Sequence, residues 1–182
     1  LLGDVIIMNT VPFRFQKLRT LDVTVLGILM ALGLIVDRFT VGTKTIQLGF
    51  GFVIVVIASY LYAPVWSAAM AGLTDVIGTL VSGQVYNPGF TLSAILGAIV
   101  YGWFLYGHKP SIKRIVISQL LIMLVVNLVL NTLWISLMYQ TPYVTFLMTR
   151  ILKEVVTTPI QIIIIYFLLN SPQFNKLKEK LI

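Results

Sequence analysis

The sequence predicts an all-α integral membrane protein, a bundle of six transmembrane helices with both termini in the cytoplasm. Of the 182 residues, 58% are hydrophobic and only 10% are charged, whereas a soluble domain carries about 25% charged residues. The apolar residues form six runs of roughly 16 residues or more, near the length that crosses a bilayer as a helix. The basic residues cluster beyond the ends of alternate runs.

Six helices are predicted, and their bounds are, in order, 21–36, 46–62, 65–81, 90–106, 115–139 and 143–169. The first four are short, about 25 Å of helix at 1.5 Å per residue. The last two exceed the ~20 residues that cross a bilayer, so we expect them to tilt or protrude. The transmembrane domain is thus expected at 21–170, between a basic N-terminal segment at 1–20 and a basic C-terminal tail at 171–182.

The basic residues indicate the orientation of the bundle. Only Arg38 and Lys44 lie in the loops on one side, and nine basic residues lie on the other. These nine are Arg14, Lys17, Arg19, Lys109, Lys113, Arg114, Lys176, Lys178 and Lys180. Because positive charge is retained inside, this side and both termini are predicted to be cytoplasmic. The same rule explains the net charge of +7 without nucleic-acid binding.

Charged and amide side chains interrupt the apolar runs. Arg150, Lys153 and Glu154 fall within one turn of the last helix, and each charge placed in mid-membrane costs at least ~2.5–3.5 kcal/mol. This helix face must therefore look into the bundle or into a wet cavity. Asp75 and Asn131 lie at a depth similar to that of Arg150, roughly 9–12 Å below the outer helix ends.

Two interpretations of this polar set remain open. Asp75 and Arg150, with Asn127 and Glu154 nearby, could form a structural ion network, since buried polar groups need partners. Alternatively, the two cations Arg150 and Lys153 attract an anionic ligand into an outward-facing cavity. The outer loop 37–45 is long enough to fold over such a cavity.

Aromatic residues cluster at the predicted outer helix ends. Aromatic belts at the membrane surface are ordinary, but the same side chains can stack on a flat heterocycle. The cluster comprises Tyr86, Phe90, Trp134, Tyr139, Tyr143 and Phe146.

Small residues mark two helices. Gly27 and Ala31, four apart on the first helix, predict close approach of another helix, either within the bundle or from a partner. The fourth helix carries a similar pattern at Ala94, Gly97 and Ala98, so the pattern alone is not specific.

Enzymatic activity is not expected. The sequence has no cysteine and no Gly-x-x-x-x-Gly-Lys-Ser/Thr phosphate loop. Its single histidine, His108, lies in a predicted cytoplasmic loop, where it is poorly placed for a metal site or a catalytic triad.

Together these motifs resemble one family of membrane proteins. The motifs are Gly27-x-x-x-Ala31, Asn87-Pro-Gly-Phe-Thr-Leu-Ser-Ala94, Asn131-Thr-Leu-Trp-Ile-Ser-Leu-Met-Tyr139 and Arg150-x-x-Lys153. They are similar to those of the S component of energy-coupling factor (ECF) vitamin transporters, in the folate-specific branch. The resemblance covers most of the chain after residue 20. The family usually has Ala where this chain has Gly27, and the smaller residue keeps the close approach.

The resemblance implies a substrate-binding subunit of the bacterial cell membrane, which captures a vitamin outside. It implies docking on a transmembrane coupling protein (the T component) and two cytoplasmic ATPases, so this chain needs no cofactor and its partners use the ATP. Gly27 and Ala31 are the implied docking residues. A folate ligand would place a flat pterin among aromatic and amide groups, and two carboxylates near Arg38, Lys44, Arg150 or Lys153.

The expected substrate-binding residues are Arg38, Lys44, Asp75, Tyr86, Asn87, Phe90, Asn131, Trp134, Tyr139, Tyr143, Arg150 and Lys153. Two alternatives remain open. One is an S component for another vitamin, such as riboflavin or thiamine, although a cationic pocket favours a dianionic ligand over thiamine. The other is a structural membrane protein with a buried ion network.

Overall fold

The structure is a computed structural model that describes residues 17–42 and 47–181. Apart from two short strands, its regular elements are helices. In chain order they are α1 (Thr20–Val36), β1 (Thr40–Gly42), β2 (Gln47–Gly49), α2 (Gly51–Leu61), α3 (Pro64–Ser82), α4 (Pro88–Leu105), α5 (Ile112–Leu121), a π-helix (Ile122–Asn131), α6 (Thr132–Tyr139), α7 (Tyr143–Asn170) and α8 (Pro172–Leu181).

In the part of the chain that the structure describes, four helical stretches are long and apolar enough to cross a membrane. They are Pro64–Ser82, Pro88–Leu105, Ile112–Tyr139 and Tyr143–Asn170. The third runs through α5, the π-helix and α6 without a break. The apolar helices α1 and α2 are shorter, at 17 and 11 residues. The predicted helical class is confirmed, while membrane crossing by α1 and α2 stays a prediction.

The predicted second helix, 46–62, is wrong at its start. Residues 47–49 form β2, which pairs antiparallel with β1 in the register Thr40↔Gly49, and the helix begins at Gly51. Two glycines in close succession, Gly49 and Gly51, disfavour helix there. A Cβ on Gly51 would lie 1.7 Å from Asp37 Oδ1, so a larger residue here would displace the Asp37 carboxylate.

The C-terminal tail, which was predicted without a helix, contains α8. On α8, Phe174 is buried and its ring centroid lies 5.7 Å from that of Tyr60. Lys178 Nζ lies 3.9 Å from the centroid of the same Tyr60 ring, a cation–π arrangement. Thus α8 is held against the end of α2 by an apolar and a cationic contact.

Small residues bring α3 and α4 close together. Ala68, Ala71 and Ala98 form a buried cluster between them. A Cβ on Gly72 would lie 3.0 Å from Ile95 Cγ1, and one on Gly102 would lie 2.9 Å from Pro64 Cα. The small-residue pattern of α4 therefore serves packing inside the bundle.

The small residues of α1 behave differently. Gly27 and Ala31 are both exposed, and a Cβ on Gly27 would meet no atom of the described residues within 4 Å. Gly33, on another side of α1, is buried, and a Cβ there would lie 3.4 Å from Thr74 Cγ2. The face of α1 that carries Gly27 and Ala31 is thus open.

Two glycines of α4 give a matched test of the α3–α4 contact. We expect Gly102→Ala to lower stability by about 1–3 kcal/mol, because the added methyl group overpacks against Pro64. Gly97→Ala on the same helix should change stability little, since a Cβ there meets nothing within 4 Å. Thermal unfolding of both purified variants checks this, and equal shifts in Tm would contradict the packing.

Candidate functional site

Asp75, in the second half of α3, lines each of four cavities among the described residues. The first, the α1–α3 cavity, has a volume of about 620 Å³ and is also lined by Asp37, Arg38 and Gln84. The second, the deep cavity, has about 320 Å³ and lies between α4, α5, the π-helix and α7. A third of about 220 Å³ lies against α2. The fourth, the α4–α6 cavity, has about 660 Å³.

The Asp75 carboxylate is held by one hydroxyl. Thr91 Oγ1, on α4, donates to Asp75 Oδ2 over 2.6 Å. The Tyr86 hydroxyl lies 3.2 Å from the same Thr91 oxygen and can donate to it. Within the described part of the chain Asp75 makes no ion pair, and the pairing with Arg150 considered from the sequence does not form. Asp75 therefore keeps acceptor capacity toward the cavities.

A second carboxylate adds negative charge near this junction. Asp37, just after α1, lines the α1–α3 cavity and the cavity beside α2. Burial raises the pKa of the Asp37 carboxyl, and the neighbouring Asp75 carboxylate raises it further. Arg38, exposed in the same wall, is the cation nearest in sequence to this acidic pair.

The deep cavity has a polar wall that the sequence analysis missed. The Tyr101 hydroxyl donates to Gln119 Oε1 over 2.5 Å, and Gln119 Nε2 donates to Gln161 Oε1. Tyr101 and Gln119 are buried, at 4% and 1% exposure. The available signal was an isolated amide within an apolar run, at Gln119 in α5 and at Gln161 in α7.

The π-helix supplies two further polar side chains to the wall of the deep cavity. Asn131 Nδ2 donates to Asn127 Oδ1 over 3.3 Å, and both residues line the deep cavity. Within residues 17–42 and 47–181, Asn131 Oδ1 is a buried atom without a hydrogen-bond partner. A buried acceptor left unpaired costs about 1–3 kcal/mol, so a ligand that brings a donor is favoured if the Asn131 amide turns toward the cavity. Such π-helical turns frequently occur at functional sites.

Arg150 supports the π-helix from α7. Its Nη1 donates to the Asn127 carbonyl over 3.3 Å, and Thr132 Oγ1 donates to the same oxygen over 3.3 Å. These two donors serve a carbonyl in the π-helix. The buried Glu154 accepts from Thr158 Oγ1 over 3.4 Å; within the described residues it forms no ion pair with Arg150.

The Asn87-Pro-Gly motif positions α4 and the indole of Trp134. Asn87 Oδ1 accepts a hydrogen bond from Gly89 N over 2.9 Å, which caps the helix. A Cβ on Gly89 would lie 2.3 Å from Trp134 Cδ2, so the indole occupies the space that glycine leaves. Trp134 Nε1 donates to Ser93 Oγ over 3.1 Å, which ties α6 to α4.

The predicted site residues divide into three groups. The cavities are lined by Arg38, Asp75, Asn87, Phe90, Asn131 and Tyr139. The second group lies outside the four linings. Tyr86 contacts Thr91, and the Tyr143 hydroxyl donates to the Leu128 carbonyl; the other members are Trp134, Arg150 and the half-buried Lys153. Lys44 lies outside the described residues. Their roles in ligand binding stay predictions.

Comparison with known proteins places this arrangement in context. Residues 21–169 match the family described as "ECF transporter, substrate-specific component". The folate transporter FolT of Leuconostoc mesenteroides is 34% identical over 180 residues, 95% of this chain and 97% of that protein. The folate transporter FolT of Clostridium novyi is 34% identical over 143 residues, 78% of this chain and 83% of that protein.

A solved structure shares the fold. The crystal structure of FolT bound with folic acid superimposes with a TM-score of 0.78 at 31% sequence identity. The match covers 84% of this chain and 95% of that one.

The Gly89–Trp134 contact can be tested by one methyl group. We expect Gly89→Ala to displace the indole and to destabilise the ligand-free protein by about 1–3 kcal/mol, because no space remains for the Cβ. Ser93→Ala, which removes only the hydrogen-bond acceptor, should cost less, about 1 kcal/mol. Thermal unfolding of the two variants makes the comparison. An unchanged Tm for Gly89→Ala would show that Trp134 does not lie over Gly89.

Proposed function

The chain belongs to the family of substrate-specific components of ECF transporters, which are transporter binding subunits and not enzymes, and from that premise we propose that it captures folate outside the cell for ATP-driven uptake by partner subunits. The observation that carries the proposal is the set of cavities around Asp75. These cavities combine unpaired acceptors, amide donors and aromatic rings within a fold shared with a folic-acid-bound relative.

The deep cavity suits the pterin ring. Phe52, Phe90 and Tyr101 contribute rings to its lining, and aromatic side chains pack well against flat heterocycles. The 2-amino and N3–H groups of the pterin are donors, for which Asp75 and the unpaired Asn131 Oδ1 are acceptors. Hydrogen bonds to a carboxylate are the stronger kind, about 1.5–3 kcal/mol each.

The α1–α3 cavity suits the acidic end of folate. It shares Asp75 with the deep cavity and contains Arg38, whose guanidinium can bind a carboxylate through two parallel hydrogen bonds. The two volumes, about 620 and 320 Å³, lie within the range of ligand pockets, about 300–1,000 Å³. We propose Arg38 as the first carboxylate contact, with Lys44 as a second. Arg150 acts through the Asn127 carbonyl and the π-helix.

The orientation follows from the charges. The ends of α1, α3 and α4 that surround Arg38 and Asn87 lie away from most basic residues. Lys17 and Arg19 precede α1. The other basic residues at this end of the bundle lie just beyond α4, at the start of α5 or on α8. We propose that this basic end is cytoplasmic and that the cavities face outward.

The open face of α1 is the proposed docking surface for the T component. Gly27 and Ala31 are exposed and leave room for a partner helix. The sequence carries no phosphate loop, so we propose that two ATPases in the assembly supply the energy.

Titration of the detergent-purified chain with folic acid tests the proposed ligand. We expect one folic acid bound per chain by calorimetry, and weaker binding of riboflavin and thiamine. Asp75→Asn should weaken folic acid binding by about 1.5–3 kcal/mol, because a carboxylate acceptor is replaced by a neutral amide.

Asp37→Asn is the matched control. It removes the same charge from the α1–α3 cavity but not from the deep cavity. Its affinity for folic acid should stay the same or rise, because a carboxylate near the anionic end of the ligand is lost. Tighter binding of riboflavin than of folic acid would reject the folate assignment.

The docking surface is tested separately from the site. We expect Gly27→Leu and Ala31→Leu to block assembly with the T component, since the larger side chains hold the helices apart. Folic acid binding by the isolated chain should be unchanged. Ala69→Leu, at an exposed alanine of α3, is the control and should assemble normally. Loss of both binding and assembly in the α1 variants would show that this face packs within the bundle.

A further inference from the structure

Three side chains from three helices form a hydrogen-bonded chain along the deep cavity. Tyr101 comes from α4, Gln119 from α5 and Gln161 from α7. All three line the deep cavity. Tyr101 and Gln119 are almost fully buried, whereas Gln161 is half-buried. Gln161 is therefore the member of this chain with the most surface left for a ligand.

The direction of the chain is fixed at its buried end. The Tyr101 hydroxyl donates to Gln119 Oε1, and Gln119 Nε2 donates to Gln161 Oε1. Reversing both amides would make the Tyr101 hydroxyl an acceptor and leave its hydrogen unbound. Among the described residues Tyr101 has no other hydrogen-bond partner, and an unpaired buried donor is costly. The Tyr101 hydroxyl thus sets the orientation of both amides.

This orientation leaves a donor facing the ligand. Gln119 occupies one side of Gln161 Oε1, whereas among the described residues the Nε2 group of Gln161, with its two N–H donors, has no hydrogen-bond partner. Elsewhere in the deep cavity, Asp75 and Asn131 offer acceptors. The deep cavity thus has acceptors at Asp75 and Asn131 and a donor at Gln161.

Resting on the proposed function, we propose that Gln161 is a specificity-determining residue that donates to a carbonyl oxygen or ring nitrogen of the bound heterocycle. Tyr101 and Gln119 act through Gln161 as positioning residues. The cavity then distinguishes two ligands of nearly equal shape. Folic acid carries an acceptor, the C4 carbonyl, where its 4-amino analogue aminopterin carries a donor, and N3 changes at the same time from a donor to an acceptor.

Competition binding of these two ligands tests the inference. The wild-type chain should bind folic acid about tenfold to a hundredfold more tightly than aminopterin, because the 4-amino group meets an N–H group and because aminopterin lacks the N3–H donor. Variants at Gln161 separate these two contributions. Equal affinities would overturn the assignment to Gln161 but not the proposed function. Failure of the wild-type chain to bind either ligand would reject the proposed function and this inference with it.

Gln161→Glu reverses the polarity at nearly constant shape. The new carboxylate can accept from Gln119 Nε2 and from a 4-amino group, so the preference for folic acid should fall at least tenfold. Gln84→Glu is the matched control, since Gln84 lines the α1–α3 and α4–α6 cavities but not the deep cavity. It should leave the ratio of the two affinities unchanged. The same change of ratio in both variants would overturn the inference.

Tyr101→Phe provides a second variant if Gln161→Glu does not fold. It removes the hydroxyl that fixes the amides and leaves Gln161 in place. The amides can then reverse, and the folic acid preference should fall severalfold. A purely structural role of Tyr101 would weaken both ligands equally. An unchanged ratio of the folic acid and aminopterin affinities in this variant would therefore contradict the positioning role of Tyr101.

Discussion

The carboxylate of Asp75 within an apolar helix bundle is the constraint on which the rest of the site depends. A charge at membrane depth is expensive and must face a wet cavity or a partner. Here the Thr91 hydroxyl donates a hydrogen bond to one oxygen of the carboxylate. Asp75 also lines four cavities among the described residues, toward which its remaining lone pairs can accept. A bundle that closed over Asp75 would bury an unpaired charge. The Asp75 carboxylate therefore favours a bundle that keeps water-accessible cavities beside it.

The frame around Asp75 is built from close contacts and fixed amides. Alanines and glycines hold α3 against α4, which brings Thr91 within 2.6 Å of Asp75. On the far side, Arg150 and Thr132 donate to the Asn127 carbonyl in the π-helix, and Asn131 Oδ1 is left as an unpaired acceptor. These contacts hold polar groups in place before any ligand arrives. Such preorganisation reduces the entropy lost on binding.

Much of the fold, but less of the site, could be predicted from the sequence. Long apolar runs predict α3, α4 and α7 to within a few residues, whereas α2 begins late because Gly49 and Gly51 disfavour helix. The π-helix was missed because its sequence has an ordinary helical composition. Charge in a membrane segment predicted a cavity position for Asp75, and an amide did so for Asn131; both line the deep cavity, and their roles in ligand binding stay predictions. Gln119 and Gln161 were missed because a single neutral amide costs little in a helix, and only tertiary contacts join them to Tyr101.

A structure of the chain with folic acid bound, determined by electron cryo-microscopy, tests the central claim most directly. The account predicts the pterin in the deep cavity, with its 2-amino and N3–H groups within hydrogen-bonding distance of Asp75 or Asn131. The glutamyl carboxylates should extend into the α1–α3 cavity beside Arg38. A complex in which the pterin lies outside the deep cavity, without contact to Asp75 or Asn131, would contradict it.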